Sequence, residues 1–393
     1  MINNRMLMLG KEPNPIRALY AYGLQRKAEV GEQNVFDLSI GNPSIPAPPQ
    51  VRSCIEKLLQ EPAEELHGYT MSPGLMATRQ AVADNLHRRF GIQASAGNVY
   101  MTSGATSALY IAAAAITNPG DEVIVNAPYF PEYKVMIESA GCICVEVPMR
   151  PSDFQLDVDT LRQAITSQTA AVVINSPNNP VGCVYTRETI EALAALLYEK
   201  QAEVGHPIYL ISDEPYREIT YGAEVPFTAD YYDNTIICYS WAKSLSLPGE
   251  RIGYIYVSDR MDAAADVVFA VAGAGRSLGY ICAPALFQRV IEECIDCPTD
   301  VEAYARNRAL LTAGLDELGY TYIPPDGAFY LWVKALEDDA QAFSDRAKEF
   351  DLLVVPSDCF GAKGWVRASY CVSAETIERS LGAWKALKES YSE

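Results

Sequence analysis

The sequence predicts an α/β fold, with a mostly parallel seven-stranded sheet in a large domain beside a smaller α+β domain. Three observations lead there. From Asn98 onward, short apolar runs alternate with longer stretches of helical periodicity. That alternation weakens after about Leu278. A turn-rich break, Gly41-Asn42-Pro43-Ser44-Ile45-Pro46, separates an N-terminal segment from the rest of the chain. A chain of 393 residues exceeds what one small core organises, so two domains are expected. We set them at 45–278 for the large domain, and at 1–44 with 279–393 for the small one.

Positions 1–28 carry helix formers interrupted by prolines and read as an arm followed by a helix. Val35 to Ile40 alternates like a strand. Pro49 to Gln60 and Leu75 to Phe90 are helical by periodicity, with a loop at Gly68 to Gly74 between them. Strands are predicted at Val99–Met101, Glu122–Val125, Ile143–Val147, Ala171–Ile174, Ile208–Ile211, Thr235–Tyr239 and Ile252–Val257. Helices fit at Thr106–Ile116, Val158–Ile165 and Arg187–Glu199. Crossovers of that length favour parallel pairing with both sheet faces covered. The tail offers helix Val301–Leu318, strand Phe329–Val333, helix Gln341–Phe350 and strand Trp365–Cys371.

Composition removes several classes of function. A formal charge of −19 opposes nucleic acid or an anionic membrane as the main partner, though not a small anion in a local pocket. No apolar run is long enough to span a bilayer, and the N-terminus lacks a signal-peptide core, so a cytoplasmic protein is expected. Ten scattered cysteines read as free thiols. Cys294-Ile295-Asp296-Cys297 has no second pair, and three histidines at 67, 87 and 206 show no ligand spacing, so no metal site is expected.

The chemistry concentrates in loops at strand ends. Lys243 follows the strand ending at Tyr239, with Ser240 three residues before it and Arg251 eight after. An amine desolvated or placed near other cations loses proton affinity and can condense with an aldehyde. Ser240 and Arg251 suit a phosphate. Alone, Lys243 reads first as a surface loop residue. Ser103-Gly104-Ala105-Thr106-Ser107 opens an alanine-rich helix and can cradle phosphate with backbone N–H groups, or serve as an ordinary N-cap. Ser176 to Gly182 holds Asn179 between prolines, where ligands of open sheets collect. Asp213 stands at a strand tip with Tyr216 three residues on; taken alone, it reads equally well as a helix cap. Together these loops supply an amine, an acid, phenolate donors and an anion site, the set that pyridoxal 5'-phosphate requires.

The constellation resembles the fold-type I pyridoxal-phosphate enzymes, and among them the class I/II, aspartate aminotransferase-like enzymes. The resemblance runs from Leu38-Ser39-Ile40-Gly41-Asn42-Pro43 to Trp365-Val366-Arg367. Its most specific motifs are Asn178-Asn179-Pro180-Val181-Gly182, Asp213-Glu214-Pro215-Tyr216 and Ser240-Trp241-Ala242-Lys243 with Arg251. It implies that Lys243 carries the covalent link to the cofactor aldehyde and later moves the substrate proton. Asp213 would hold the ring nitrogen protonated, while Asn179 and Tyr216 would bond the ring's 3-oxygen. Ser103, Gly104, Ala105 and Thr106, with Ser240 and Arg251, would hold the phosphate. Phe130, in Pro128-Tyr129-Phe130-Pro131-Glu132-Tyr133, would stack on the ring. Arg367 would grip the substrate α-carboxylate, with Gly41 and Asn179 beside it. Tyr69 would reach the phosphate of a neighbouring subunit, which implies a homodimer with shared active sites.

The resemblance further implies ping-pong transamination between an L-amino acid, aspartate being one candidate, and a 2-oxo acid. The alternative on the same fold is a C–S β-lyase. A cofactor-sensing regulator fits worse, since only about forty residues precede Gly41 and they show no winged-helix pattern. Two departures stand out. Position 242 is alanine where many relatives carry serine, and Arg276 reads first as a plain interface or loop arginine, the alternative being a stand-in for the partner-subunit arginine of acid-specific relatives.

Overall fold

The computed structural model describes residues 2–11 and 14–392. Seven strands form the main sheet: β1 (Val99–Thr102), β2 (Glu122–Ala127), β3 (Ile143–Pro148), β4 (Thr169–Asn175), β5 (Tyr209–Asp213), β6 (Thr235–Ser240) and β7 (Gly253–Val257). Their order is β1-β7-β6-β5-β4-β2-β3. All pairings from β6 to β3 are parallel, and β7 runs antiparallel to both of its neighbours.

The strands are apolar throughout because both faces are covered. Along β4 every residue is buried, and successive side chains enter opposite cores. Val172 and Ile174 join one cluster with Ile124 and Leu210. Ala171 and Val173 join another with Val123, Val125 and Ile211. The helix Ala105–Ile116 covers the second face, with Ala264–Ser277 against it. A four-stranded antiparallel sheet lies further along the chain, with Trp365–Ser369 between Val355–Pro356 and Tyr330–Lys334, and Tyr322–Ile323 at the edge.

Several expectations shift. The strand predicted at Val35–Ile40 shrinks to Phe36–Asp37, which pairs parallel with Leu352–Leu353. The N-terminal arm and helix are two helices, Asn4–Lys11 and Pro15–Val30; positions 1, 12 and 13 of the range 1–28 lie outside the described residues, as does 393. Helices Glu132–Ser139 and Ala264–Ser277 are additions to the predicted elements. The first mixes charges among its apolar residues, and the second is rich in small residues. No helix among the described residues is long and apolar enough to cross a membrane. All ten cysteines are unpaired, and no cluster suited to a metal ion occurs among the described residues.

Candidate active site

The parallel strands bring their carboxyl ends to one edge, where the tips Asn175, Asp213 and Ser240 face a cleft of about 230 Å³. Register explains the convergence: Asn175 lies opposite Asp213 on β4 and β5, and Asp213 opposite Cys238 on β6. Antiparallel β7 begins beside Ser240, so Arg251, just ahead of it, returns to the same edge.

One helical turn, Trp241–Ser244, comes after β6 and carries Lys243 into the cleft. Its Nζ donates to Gly41 O at 2.5 Å. It also lies 5.3 Å from the centre of the Phe329 ring and 5.9 Å from that of Tyr216. Burial lowers the ammonium to about 8; the Cys371 thiol opposes the shift, and Arg367 and Arg251 add to it. A primary amine that gives up its proton more readily than an ordinary lysine is therefore held in the cleft.

Asp213, at the end of β5, is 4% exposed. Tyr133 Oη donates to its Oδ2 at 2.6 Å. Its Oδ1 is buried with no partner among the described residues. Burial pushes this carboxyl up to about 7, with the Tyr133 hydrogen bond opposing and Glu214 assisting. An acceptor kept unsatisfied inside a protein is costly unless a ligand completes it.

The loop after β4 is fixed by its own asparagines. Asn175 Oδ1 accepts from the Asn179 backbone N–H at 2.7 Å, and Asn178 Oδ1 from Val181 N–H at 3.0 Å. Gly182 closes it at φ +83, where a Cβ would stand 2.6 Å from Pro325 Cβ. Asn179 is thus presented to Arg367, whose Nη1 donates to Asn179 Oδ1 at 2.9 Å and whose Nη2 donates to Ser39 O at 2.5 Å. The guanidinium is 2% exposed and lies 4.4 Å from the Tyr330 ring centre. Its Nε has no partner among the described residues, and its acceptors are neutral. A buried cation so placed is poised for an anion.

At the opposite wall Arg251 adopts a left-handed backbone, φ 54, and its Nη1 donates to Pro248 O at 2.9 Å. Its Nη2 packs so closely on Gly104 that a Cβ there would come within 2.6 Å. Gly104, at φ +87, precedes the helix Ala105–Ile116 without a side-chain cap, so the first N–H groups of that helix are left for a ligand.

The cleft therefore brings together Gly41, Ala105, Thr106, Phe130, Asn179, Asp213, Tyr216, Ser240, Lys243, Arg251 and Arg367. Gly104 backs it through Arg251, and Ala242 also lines it. Ser103 precedes the cradle, half-buried and off the lining. Tyr69 is not brought to this cleft; it is fully exposed, at 102%. Arg276 is exposed in the last turn of a helix rather than in a loop, and it does not line the cleft.

Sequence reasoning missed Tyr133, the partner of Asp213. It also missed Tyr330, whose hydroxyl pairs with that of Tyr216 at 2.9 Å, and the apolar walls Ile16 and Ile40. Tyr133 was legible only as one of two tyrosines flanking Phe130. The contact with Asp213 spans 80 positions and leaves no local trace.

Comparisons with known proteins show the family. The family model for aminotransferase class I and II matches residues 33–383. The aspartate/prephenate aminotransferase of Thermus thermophilus is 32% identical over 360 residues, covering 88% of each chain. The crystal structure of an amino transferase from Eubacterium rectale superposes with a TM-score of 0.97 at 50% identity, over 100% of both chains. An aspartate aminotransferase from Thermus thermophilus, solved with maleate, superposes at 0.87 with 31% identity, covering 98% of this chain and 99% of its own. With the family model spanning most of the chain, the protein belongs to the class I and II aminotransferases.

Proposed function

We propose that this aminotransferase uses pyridoxal 5'-phosphate to move an amino group from an L-amino acid to a 2-oxo acid in two half-reactions. One juxtaposition carries the reading: the buried amine of Lys243, whose proton affinity burial lowers, shares a cleft with the unpartnered buried oxygen of Asp213. The donor set fits that cofactor. Lys243 is the amine for its aldehyde, and Asp213 Oδ1 the acceptor for its ring nitrogen. Asn179 and Tyr216 would hydrogen-bond its 3-oxygen, and Phe130 would pack on its ring. The uncapped helix start at Ala105 and Thr106, with Ser103, Gly104, Ser240 and Arg251, serves its phosphate. When bound, the cofactor supplies an electron sink for charge developing at the substrate Cα.

This chain's residues perform the remainder. Arg367 and Asn179 orient the substrate by its α-carboxylate, with the Gly41 backbone at the same wall. Lys243 Nζ, neutral once its proton is lost, accepts the Cα proton. With the cofactor bound, Asp213 would be kept ionised by the protonated ring nitrogen it accepts from. We read 45–278 as the cofactor-binding domain and 1–44 with 279–393 as the small domain; the seven-stranded sheet falls within the first, the four-stranded sheet within the second. We infer a homodimer in which Tyr69 of one copy reaches the phosphate of the other, supported by its full exposure beside exposed Met71 and Met76. Ten unpaired thiols support a reducing, cytoplasmic setting.

The test is a panel of amino donors against 2-oxoglutarate, with cofactor absorbance and the released oxo acid as readouts. Acceptor-dependent turnover is expected. Pyruvate and ammonia released from cystathionine without any acceptor would move the assignment to the β-lyase. Gly104→Ala is expected to displace Arg251 and weaken pyridoxal-phosphate binding by about tenfold or more, read by titration of the apoprotein. Arg367→Ala is expected to lower kcat/KM by about 10²–10³-fold, chiefly through the loss of carboxylate binding.

A further inference from the structure

Two tyrosine hydroxyls meet at the cleft from different parts of the chain. Tyr216 follows β5 by three residues, and Tyr330 opens the strand Tyr330–Lys334 of the four-stranded sheet. Their Oη atoms are 2.9 Å apart, and both residues line the cleft. The rings cross at 79° with centres 5.7 Å apart, and Phe329 meets the Tyr216 ring edge-on at 5.4 Å. Within this chain alone Tyr216 is 5% exposed and Tyr330 2%, so the contact is complete without a partner subunit. The Tyr330 hydroxyl also abuts Gly41, where a Cβ would collide with it.

One proton lies between the two oxygens, and either hydroxyl can supply it. The direction matters. If Tyr216 gives its proton to Tyr330, none is left for a ligand oxygen. If Tyr330 donates, Tyr216 stays free to donate into the cleft. Burial makes both hydroxyls weaker acids, and Tyr216 the more so. At Tyr330 the cation of Arg367, 4.4 Å from the ring centre, opposes that shift, while the Cys371 thiol adds to it. At Tyr216 the neighbouring Tyr330 adds to the shift first; Arg367 opposes it and Asp213 adds again. Lys243 Nζ lies 5.9 Å from the centre of the Tyr216 ring. The more acidic hydroxyl is the better donor, which favours a bond running from Tyr330 to Tyr216.

We propose that Tyr330 is a positioning residue: it donates to Tyr216 Oη and thereby turns the Tyr216 proton toward the 3-oxygen of pyridoxal phosphate. This deepens the cofactor reading and rests on Tyr216 meeting that oxygen. The test titrates the absorbance of the cofactor-loaded protein against pH for the wild type, Tyr216→Phe, Tyr330→Phe and the double variant. A donor on the 3-oxygen draws negative charge from it, so the linkage to Lys243 gives up its proton at lower pH. Tyr216→Phe is expected to raise the midpoint by about one unit. Tyr330→Phe should raise it by about 0.3 unit, because Tyr216 donates more weakly when nothing donates to it. In the Tyr216→Phe background the same substitution should add nothing, which separates this role from a general loosening of the site. Tyr330→Phe removes one oxygen and keeps the ring beside Arg367, so the variant is expected to fold, as read by its Tm. A midpoint that falls in Tyr330→Phe shows that Tyr216 was donating to Tyr330 and overturns the proposal, as does an unchanged midpoint or an equal shift in both backgrounds. The cofactor reading survives each of these results as long as Tyr216→Phe moves the midpoint. If Tyr216→Phe moves nothing, the 3-oxygen assignment fails, and this proposal with it.

Discussion

Replacing Lys243 by alanine is expected to lower turnover at least about 10⁴-fold, because in the proposed function one side chain supplies both the covalent amine and the proton-transfer base. Nothing else in the cleft can substitute. The other basic groups lining it are Arg251 and Arg367, and a guanidinium neither gives up its proton near neutral pH nor condenses with an aldehyde. The protein should also lose the absorbance that accompanies cofactor linkage and resist trapping by borohydride. The wild-type amine adds a pH signature. Burial places its proton loss at about 8, well below an ordinary lysine. In protein stripped of cofactor, covalent capture of an added aldehyde should therefore rise with pH and level off above 8, where the amine is neutral. A rise that continued to pH 10 would show an ordinary solvated lysine. Full activity in the alanine variant would discard the assignment altogether.

Asp213→Asn is expected to separate function from stability. Without a full negative charge opposite the ring nitrogen, kcat should fall by about 10³-fold or more. The apoprotein should nevertheless become more stable at pH 8. In the folded chain the Asp213 carboxyl keeps its proton up to about pH 7, against 3.8 for an ordinary aspartate. Between those values the folded state binds more protons than the unfolded one, so this group's contribution falls as pH rises and is fully lost above 7. The resulting penalty is on the order of 1–4 kcal/mol, part of it offset by the Tyr133 hydrogen bond. Asparagine does not titrate, so the variant's Tm should exceed the wild-type value at pH 8, with the gap narrowing toward pH 4. An unchanged Tm at both pH values would mean that the site carries no such strain. Adding pyridoxal phosphate should reverse the order, because only the carboxylate gains a cationic partner.

Much of this was legible in the chain, and the reason is local. Seven apolar runs with helical crossovers specify a buried parallel sheet, because a strand covered on both faces must be apolar along its whole length, as β4 is. Residues at strand tips fall at one edge once parallel pairing is granted, so Asn179, Asp213, Ser240 and Lys243 could be grouped from position alone. Two helices were not read: Glu132–Ser139 mixes charges among its apolar residues, and Ala264–Ser277 is rich in small residues.

By itself the sequence determined the sheet, the strand-tip loops and the reactive groups they carry, since each depends on residues close together in the chain. Only the tertiary structure decided how those groups are completed. Tyr133 meets Asp213, Tyr330 meets Tyr216, Arg367 reaches across to Asn179 and Ser39, and Ile16 closes the wall. These contacts join positions from 80 to 328 residues apart. They arise from packing that brings distant segments together, and packing of that kind leaves no periodic mark on the chain.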